Sequence, residues 1–417
     1  MKTILYRVVA ILSVVALSAC TLPSVNRSTP TPAIAIDLPI STQAQLRDYD
    51  LATAAIADQY IDPKAAGAEW KTSLAPLRDR IIKGVDDTKF MDILDEMLST
   101  LHDDDLSLSR PESPSASATA PVTASFSGIG IVAGLPEINK DRILVLAVYD
   151  QSPAALAGVM THDSVVQIDG KPVLFQDRDK LISQIRGLTG TNIVLTIRTP
   201  GKGERDVTLT RQPITPSSTL VARRVPNTNI GYIQPDASNM LTMRLETAQA
   251  IRDLSKNQPL DSLVLDLRTV QSPDFPMTEI LDLFVYGQVG TLYNRAWKMK
   301  LDITGKNVAG SQDLPLVVLV SDQTRGIAES YAGILQDLGR ARIVGNQTPG
   351  RLSILTPTSL PNSGAAIAIP SGEYRGVKDK SWYKQGIKPD IASELTWEQF
   401  TDDNDPQLKQ AVQALTR

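Results

Sequence analysis

Ser152-Pro153-Ala154-Ala155-Leu156-Ala157-Gly158 and, just after it, Val165-Val166-Gln167-Ile168-Asp169-Gly170-Lys171-Pro172-Val173 form the stretch on which the reading of this chain turns. The first part starts a short helix that ends near Gly158. The second places Asp169-Gly170 between two apolar arms, the signature of a tight hairpin turn. Upstream, Phe126-Ser127-Gly128-Ile129-Gly130-Ile131 alternates glycine with apolar residues, and Ile143 to Val148 reads as a buried strand. Downstream, a helix-like run from Asp177 to Arg186 meets Gly187-Leu188-Thr189-Gly190, and two strands follow, Ile193 to Arg198 and Arg205 to Thr210. Residues 126–214 therefore read as one small unit of strands with two helices.

On its C-terminal side, residues 215–417 alternate strands with helices. Ser262-Leu263-Val264-Leu265-Asp266-Leu267-Arg268 and Leu316-Val317-Val318-Leu319-Val320 are continuous apolar runs, and Ala341 to Gly345 closes a strand–helix–strand unit around a helix at Ala328 to Leu338. That pattern predicts a parallel sheet with covering helices. On the N-terminal side, residues 46–110 are helical: Leu77, Ile81, Phe90, Leu94 and Leu101 recur at helical spacing. Residues 111–125, rich in Ser, Pro and Ala, read as a linker. Residues 21–45, rich in Pro, Ser and Thr, read as a tether without a core.

Composition removes several classes of function. The 417 residues include one Cys and two His, so a disulfide framework, an iron–sulfur cluster and the usual zinc site are all excluded. No cofactor or metal is expected. A net charge of −4 without a basic run speaks against nucleic acid. Lys2 and Arg7 precede an apolar stretch, Val8 to Ala19, too short to span a bilayer and charged at its start, as in a signal peptide. Its ending, Leu17-Ser18-Ala19-Cys20, resembles a bacterial lipobox. That resemblance implies removal of the residues before Cys20, lipidation of Cys20 as the new N-terminus, and an exported protein held by a lipid anchor on the outer side of the cytoplasmic membrane or in the periplasm; the signal peptide is read over residues 1–20.

Taken in order, these segments resemble the C-terminal processing (tail-specific) serine peptidases, related to the tricorn core protease. The motifs that carry the likeness are Ser152 to Gly158 with Ile168-Asp169-Gly170, Ile185-Arg186-Gly187 with Gly190-Thr191, Asp266-Leu267-Arg268, Gln336-Asp337 and Gly386-Ile387-Lys388-Pro389-Asp390. The resemblance implies an α+β, α/β multidomain fold: an N-terminal helical segment, a PDZ domain and a crotonase-like α/β peptidase domain. It assigns peptide binding to Gly128, Ile129, Gly130 and Ile131. Their consecutive backbone N–H groups can cradle a chain-terminal carboxylate while the next strand pairs with an extended peptide.

The same resemblance locates the chemistry and finds it altered. The family's nucleophilic serine lies three residues before a glutamate; here Glu329 is preceded at that distance by Gly326. The family's base lysine falls on Arg351, which stays protonated and cannot accept the nucleophile's proton. The glycine pair that helps form the oxyanion hole falls on Ser272 and Pro273, and proline has no N–H to donate. Asp337 is kept, and Asp105 stands where many relatives carry a histidine. Losing the nucleophile or the base alone costs on the order of 10⁶ in rate in a comparable serine protease. The expectation is a binder of unfolded or C-terminal peptide segments in which proteolysis is lost or very weak. Two alternatives stand beside it. One is an active serine endopeptidase with a displaced nucleophile, Ser330 first, with Ser321 and Thr324 near it and Lys378 or Lys380 as base. The other is a homo-oligomeric scaffold that assembles through the face of Leu77, Ile81, Phe90, Leu94 and Leu101.

Overall fold

The computed structural model describes residues 39–111, 126–136, 141–174, 181, 184–215, 218–235, 240–272 and 275–416. The proposed leader, Cys20, most of the tether and most of the linker lie outside them.

Helix α1 (Ile40–Gln59) begins inside the stretch read as tether. The reason is local: no proline lies between Pro39 and the end of the helix at Gln59, and Leu46, Tyr49, Ala52 and Ile56 recur every three or four residues and are buried. Helices α2 (Ala68–Ser73), α3 (Ala75–Ile82) and α4 (Asp87–Ser99) follow. Asp86 caps α4 by accepting from the Lys89 amide, and Phe90, Ile93, Leu94, Met97 and Leu98 form its buried face. Leu77, Ile81 and Leu101 are buried as well, so the face considered for self-association is spent inside the chain. The helical region also ends earlier than read, because Ser107–Ser109 forms strand β1.

Strands β2 (Phe126–Gly128), β3 (Ile131–Gly134) and β4 (Ile143–Val148) open the second segment, and Ser152 caps the short helix α5 (Pro153–Leu156). They are followed by β5 (Ser164–Ile168), β6 (Lys171–Pro172), β7 (Asn192–Arg198), β8 (Glu204–Thr210) and β9 (Gln212–Ile214). Asp169 and Gly170 both take positive φ, 49° and 73°, as a two-residue hairpin turn requires. The sheet runs β3-β4-β5-β7-β8, so β3 is an edge, and β2 pairs with β9 to close the segment on itself.

The third segment carries β10 (Val221–Arg224), β11 (Ile230–Gln234), α6 (Met243–Ser255), β12 (Ser262–Asp266), β13 (Gln271–Ser272), α7 (Met277–Leu281), β14 (Gly287–Asn294), β15 (Lys298–Ile303) and β16 (Leu316–Val320). It continues with β17 (Arg325–Gly326), α8 (Ile327–Asp337), β18 (Ala341–Gly345), β19 (Ile354–Leu360), β20 (Ala365–Arg375), β21 (Ile391–Ala392) and α9 (Pro406–Leu415). The main sheet is ordered β10-β11-β12-β16-β18-β21 and is parallel from β11 onward. Its period of two divides the core. Leu316, Val318 and Val320 pack with residues of α6, α7 and α8, whereas Val317 and Leu319 pack with Leu408 and Ala411 of α9. A second sheet, β1-β20-β14-β15 with β19 on β20, carries the N-terminal helices: buried Asp48 of α1 accepts from both amides of Asn362 and from the Ser363 amide at the β19–β20 turn.

A turn at Trp397–Gln399 joins the second and third segments. Trp397 donates to the Val145 carbonyl and stacks on His162, whose two ring nitrogens meet the Trp397 carbonyl and Asp402. Behind it Arg268, fully enclosed, bridges Asp266 and Asp405, so Asp266-Leu267-Arg268 is a structural ion-pair motif.

Candidate active site and peptide groove

Strand β17 lies parallel to β13, with Ser272 opposite Gly326, and the chain turns at Gly326 directly into α8. Gly326 has φ 71° and ψ −147°, a region in which a side chain is strained and which marks the sharp strand-to-helix elbow of nucleophile turns. Its amide donates to the Arg351 carbonyl at 2.6 Å. The positions expected for nucleophile and base, far apart in sequence, are thus backbone neighbours. Neither carries the side chain that the chemistry needs.

Glu329 fixes this arrangement. Its Oε2 accepts from Thr348 Oγ1 at 2.5 Å and from the Gly350 amide at 2.7 Å, tying the loop that precedes Arg351 to the first turn of α8. Burial pushes its carboxyl up to about 8. The Arg351 guanidinium pairs with Asp104 Oδ2 at 2.7 Å; Arg351 is 17 % exposed and Asp104 70 %. Next to them Asp105 accepts from the Ser353 amide, and burial raises its carboxyl to about 6. Asp103 takes the hydroxyls of Tyr60 and Tyr383, so the acidic turn is held against the loop that carries Arg351. His102 is exposed at the end of this turn. Among these residues sequence reasoning used Glu329 only as a marker and gave Asp104 no role; the run of three aspartates was its only signal.

Asp337 does not join the site. It ends α8, eleven residues long, and at 1.5 Å per residue lies roughly 15 Å from Gly326. There its carboxylate accepts from the Val377 amide and faces Lys380 at 4.0 Å. Lys380 is therefore at the wrong end of the helix to act as a base, and Lys378 is exposed beside it. Ser330 is fully buried within α8, its Oγ without a hydrogen-bond partner among the described residues, so a peptide carbonyl has no path to it. Ser321 and Thr324 are also buried, with hydroxyls spent on the carbonyls of Arg268 and Leu267. Ser272 sits opposite the elbow, and Pro273 lies outside the described residues.

The loop Gly128-Ile129-Gly130-Ile131 leads from β2 into β3. Gly130 has φ 85°, and a Cβ there would fall 2.2 Å from Ser152 Cβ, so only glycine fits. The carbonyls of Ile129 and Gly130 accept from Ala154 and Tyr149, which pins the loop to the start of α5. The free edge of β3 borders a cleft of about 330 Å³ lined by the loop, Ala133, Leu135, Ile185, Arg186 and, from the third segment, Gln271. Gln271 donates to Gln323, and Gln323 and Arg325 both donate to the Leu135 carbonyl at 3.1 Å and 2.5 Å. The far end of the cleft is thus fastened to the strand that carries Gly326.

A strand-to-helix elbow beside a parallel sheet, with a small sheet domain docked next to it, is the architecture of processing peptidases. The solved photosystem II D1 C-terminal processing protease superposes with a TM-score of 0.61 at 23% identity, covering 85% of this chain and 94% of that one. A putative S41 protease from Bacteroides fragilis gives 0.55 at 16% identity, covering 87% and 96%. Residues 229–393 match the model of peptidase family S41. A carboxyl-terminal-processing protease of Synechocystis is 30% identical over 332 residues, 78% of this chain and 76% of that protein. The carboxy-terminal processing protease CtpA of Bacillus subtilis is 27% identical over 78% of this chain and 66% of its own length. The chain belongs to peptidase family S41.

Proposed function

We propose that this family member binds peptides without cleaving them: a lipid-anchored envelope protein that takes unfolded or C-terminal segments of other proteins in the groove beside β3. On this reading residues 1–20 hold a lipoprotein signal that is cut before Cys20, and Cys20 carries the lipid. Residues 21–39 form the tether, 126–214 a PDZ domain, and 215–417 the crotonase-like α/β domain. The observation that carries the proposal is the elbow. Gly326 occupies the nucleophile's backbone position and Arg351 the base's, in hydrogen-bonded contact, so the frame of a Ser–Lys peptidase is present without its reacting atoms. A carboxylate at Gly128 to Ile131 would meet backbone N–H groups, and an extended peptide would complete the open edge of β3.

The test is direct. Incubated with unfolded protein and with peptides ending in apolar residues, the chain is expected to bind them and to yield no fragments. It is also expected to take no serine-directed fluorophosphonate label. Cleavage that a substitution at the elbow abolishes would overturn the proposal.

A further inference from the structure

We infer that Arg351 is a specificity residue for a tail bound beside β3, selecting tails with an acidic side chain about seven or eight residues from the terminus. This inference rests on the groove reading above and extends it to the place of the lost chemistry.

Direction comes first. A peptide whose carboxylate sits at the loop before β3, and which lies along β3, must run antiparallel to it. Its upstream residues therefore point toward Gly134 and Leu135. Length follows. Strand β3 has four residues, and pairing beyond them stops because the Leu135 carbonyl is already taken by Gln323 and Arg325. What the peptide meets there is Gln271, which lines the groove and is next in sequence to Ser272, the strand partner of Gly326. One residue along a strand and one strand across, about 3.3 Å and about 4.8 Å, lead from Gln271 to the elbow. The Arg351 backbone lies one hydrogen bond further, at 2.6 Å from the Gly326 amide to its carbonyl. Three or four extended residues cover that distance.

Chemistry supplies the selection. The mostly buried guanidinium already holds one carboxylate, and the partner it holds, Asp104, is the exposed member of the pair. Asp104 is the exposed partner and Arg351 the enclosed one, so a peptide Asp or Glu can compete with Asp104 for the guanidinium. An uncharged side chain cannot. Asp104 then acts as an internal competitor that keeps the cation paired when the groove is empty.

The probes are the tetrapeptide Ala-Ala-Val-Ala and two Gly/Ser dodecapeptides with that same ending. One dodecapeptide carries Glu at the seventh and eighth residues from the terminus, the other Gln. Binding to the protein is read by fluorescence anisotropy. The Glu peptide is expected to bind about three- to tenfold more tightly than the Gln peptide at low salt, less so at high salt. Arg351→Gln removes the difference and Asp104→Asn enlarges it; thermal melting confirms that each variant is folded, and if Arg351→Gln fails to fold, Asp104→Asn carries the test alone. Equal affinity for the two dodecapeptides, with the tetrapeptide bound, overturns this inference and leaves the groove intact. No binding of the tetrapeptide overturns the groove reading itself.

Discussion

If Gly326 and Arg351 occupy the positions of nucleophile and base, the two substitutions Gly326→Ser and Arg351→Lys should not by themselves restore a peptidase. Three quantities decide this. Any side chain at φ 71° and ψ −147° carries a backbone cost of about 1–3 kcal/mol, which the surrounding fold must absorb. The introduced lysine would inherit Asp104, now 2.7 Å from the guanidinium. Because Asp104 is mostly exposed, that pairing is worth at most about 1 kcal/mol, and it holds the lysine above its ordinary value near 10.4, away from the neutral range that a base needs. Finally, an oxyanion position occupied by Pro273 lacks a donor whose loss costs about 10²–10³ in rate. The assay is second-order labelling by a fluorophosphonate between pH 7 and 9.5. The wild type takes no label, and the double variant labels slowly, rising with pH. Adding Asp104→Asn should raise the rate at pH 7.5 several-fold. Equal labelling by Gly326→Ser alone would refute the role given to position 351. A folded triple variant that never labels, even at pH 9.5, would refute the elbow assignment.

Three further outcomes follow from the packing. Glu329 has its folded-state value raised from 4.5 to about 8, so the native state retains a proton that the unfolded chain releases. Stability from this group is therefore full below pH 4.5 and lost as pH rises toward 8, and Glu329→Gln should match the wild type near pH 4.5 but exceed it by about 2–5 kcal/mol at pH 8 in urea unfolding. A pH-independent difference would refute the assignment. Trp397→Ala removes the side chain that donates to Val145 and stacks on His162, and should cost about 3–5 kcal/mol and split thermal unfolding into two transitions. A single, unshifted calorimetric peak would contradict this. Gly130→Ala places a Cβ 2.2 Å from Ser152 Cβ at φ 85°, and should abolish tetrapeptide binding while costing at least about 2 kcal/mol. Retained affinity would show that the loop does not hold the terminus.

What was legible in the sequence was legible for physical reasons. Leu316 to Val320 is apolar on both faces because helices cover both, and a run of that kind admits few other readings. Asp169-Gly170 announced its turn because few other residues take positive φ in succession. The hairpin β14–β15 left no such mark. It is a partly exposed edge with Lys298 and Lys300 on it, and its turn is built by Asn294, whose side chain accepts the amides of Ala296 and Trp297. Strand β1 was hidden too, since three residues paired only with β20 carry too little pattern to see.

At the site the division is sharper. The adjacency of Gly326 and Arg351 came from resemblance to a family, not from spacing, because a single hydrogen bond between segments distant in the chain leaves no local periodicity. Asp337 shows the limit of such transfer: a position kept in sequence lies three helical turns from the elbow and serves the loop at Val377 instead. Glu329 shows the converse. Its hydrogen bonds to Thr348 and Gly350 hold the loop against α8 whether or not a nucleophile stands at 326, so its retention follows from architecture without any catalytic demand. On the reading proposed here, exchange of a strained serine for glycine also removes the local cost of about 1–3 kcal/mol at the elbow. On that same reading the fold relaxes at this position, while the hydrogen bonds of Glu329 keep the loop carrying Arg351 in place. If the proposed tail binding holds, the cation kept at position 351 is a binding group where the family's base would stand.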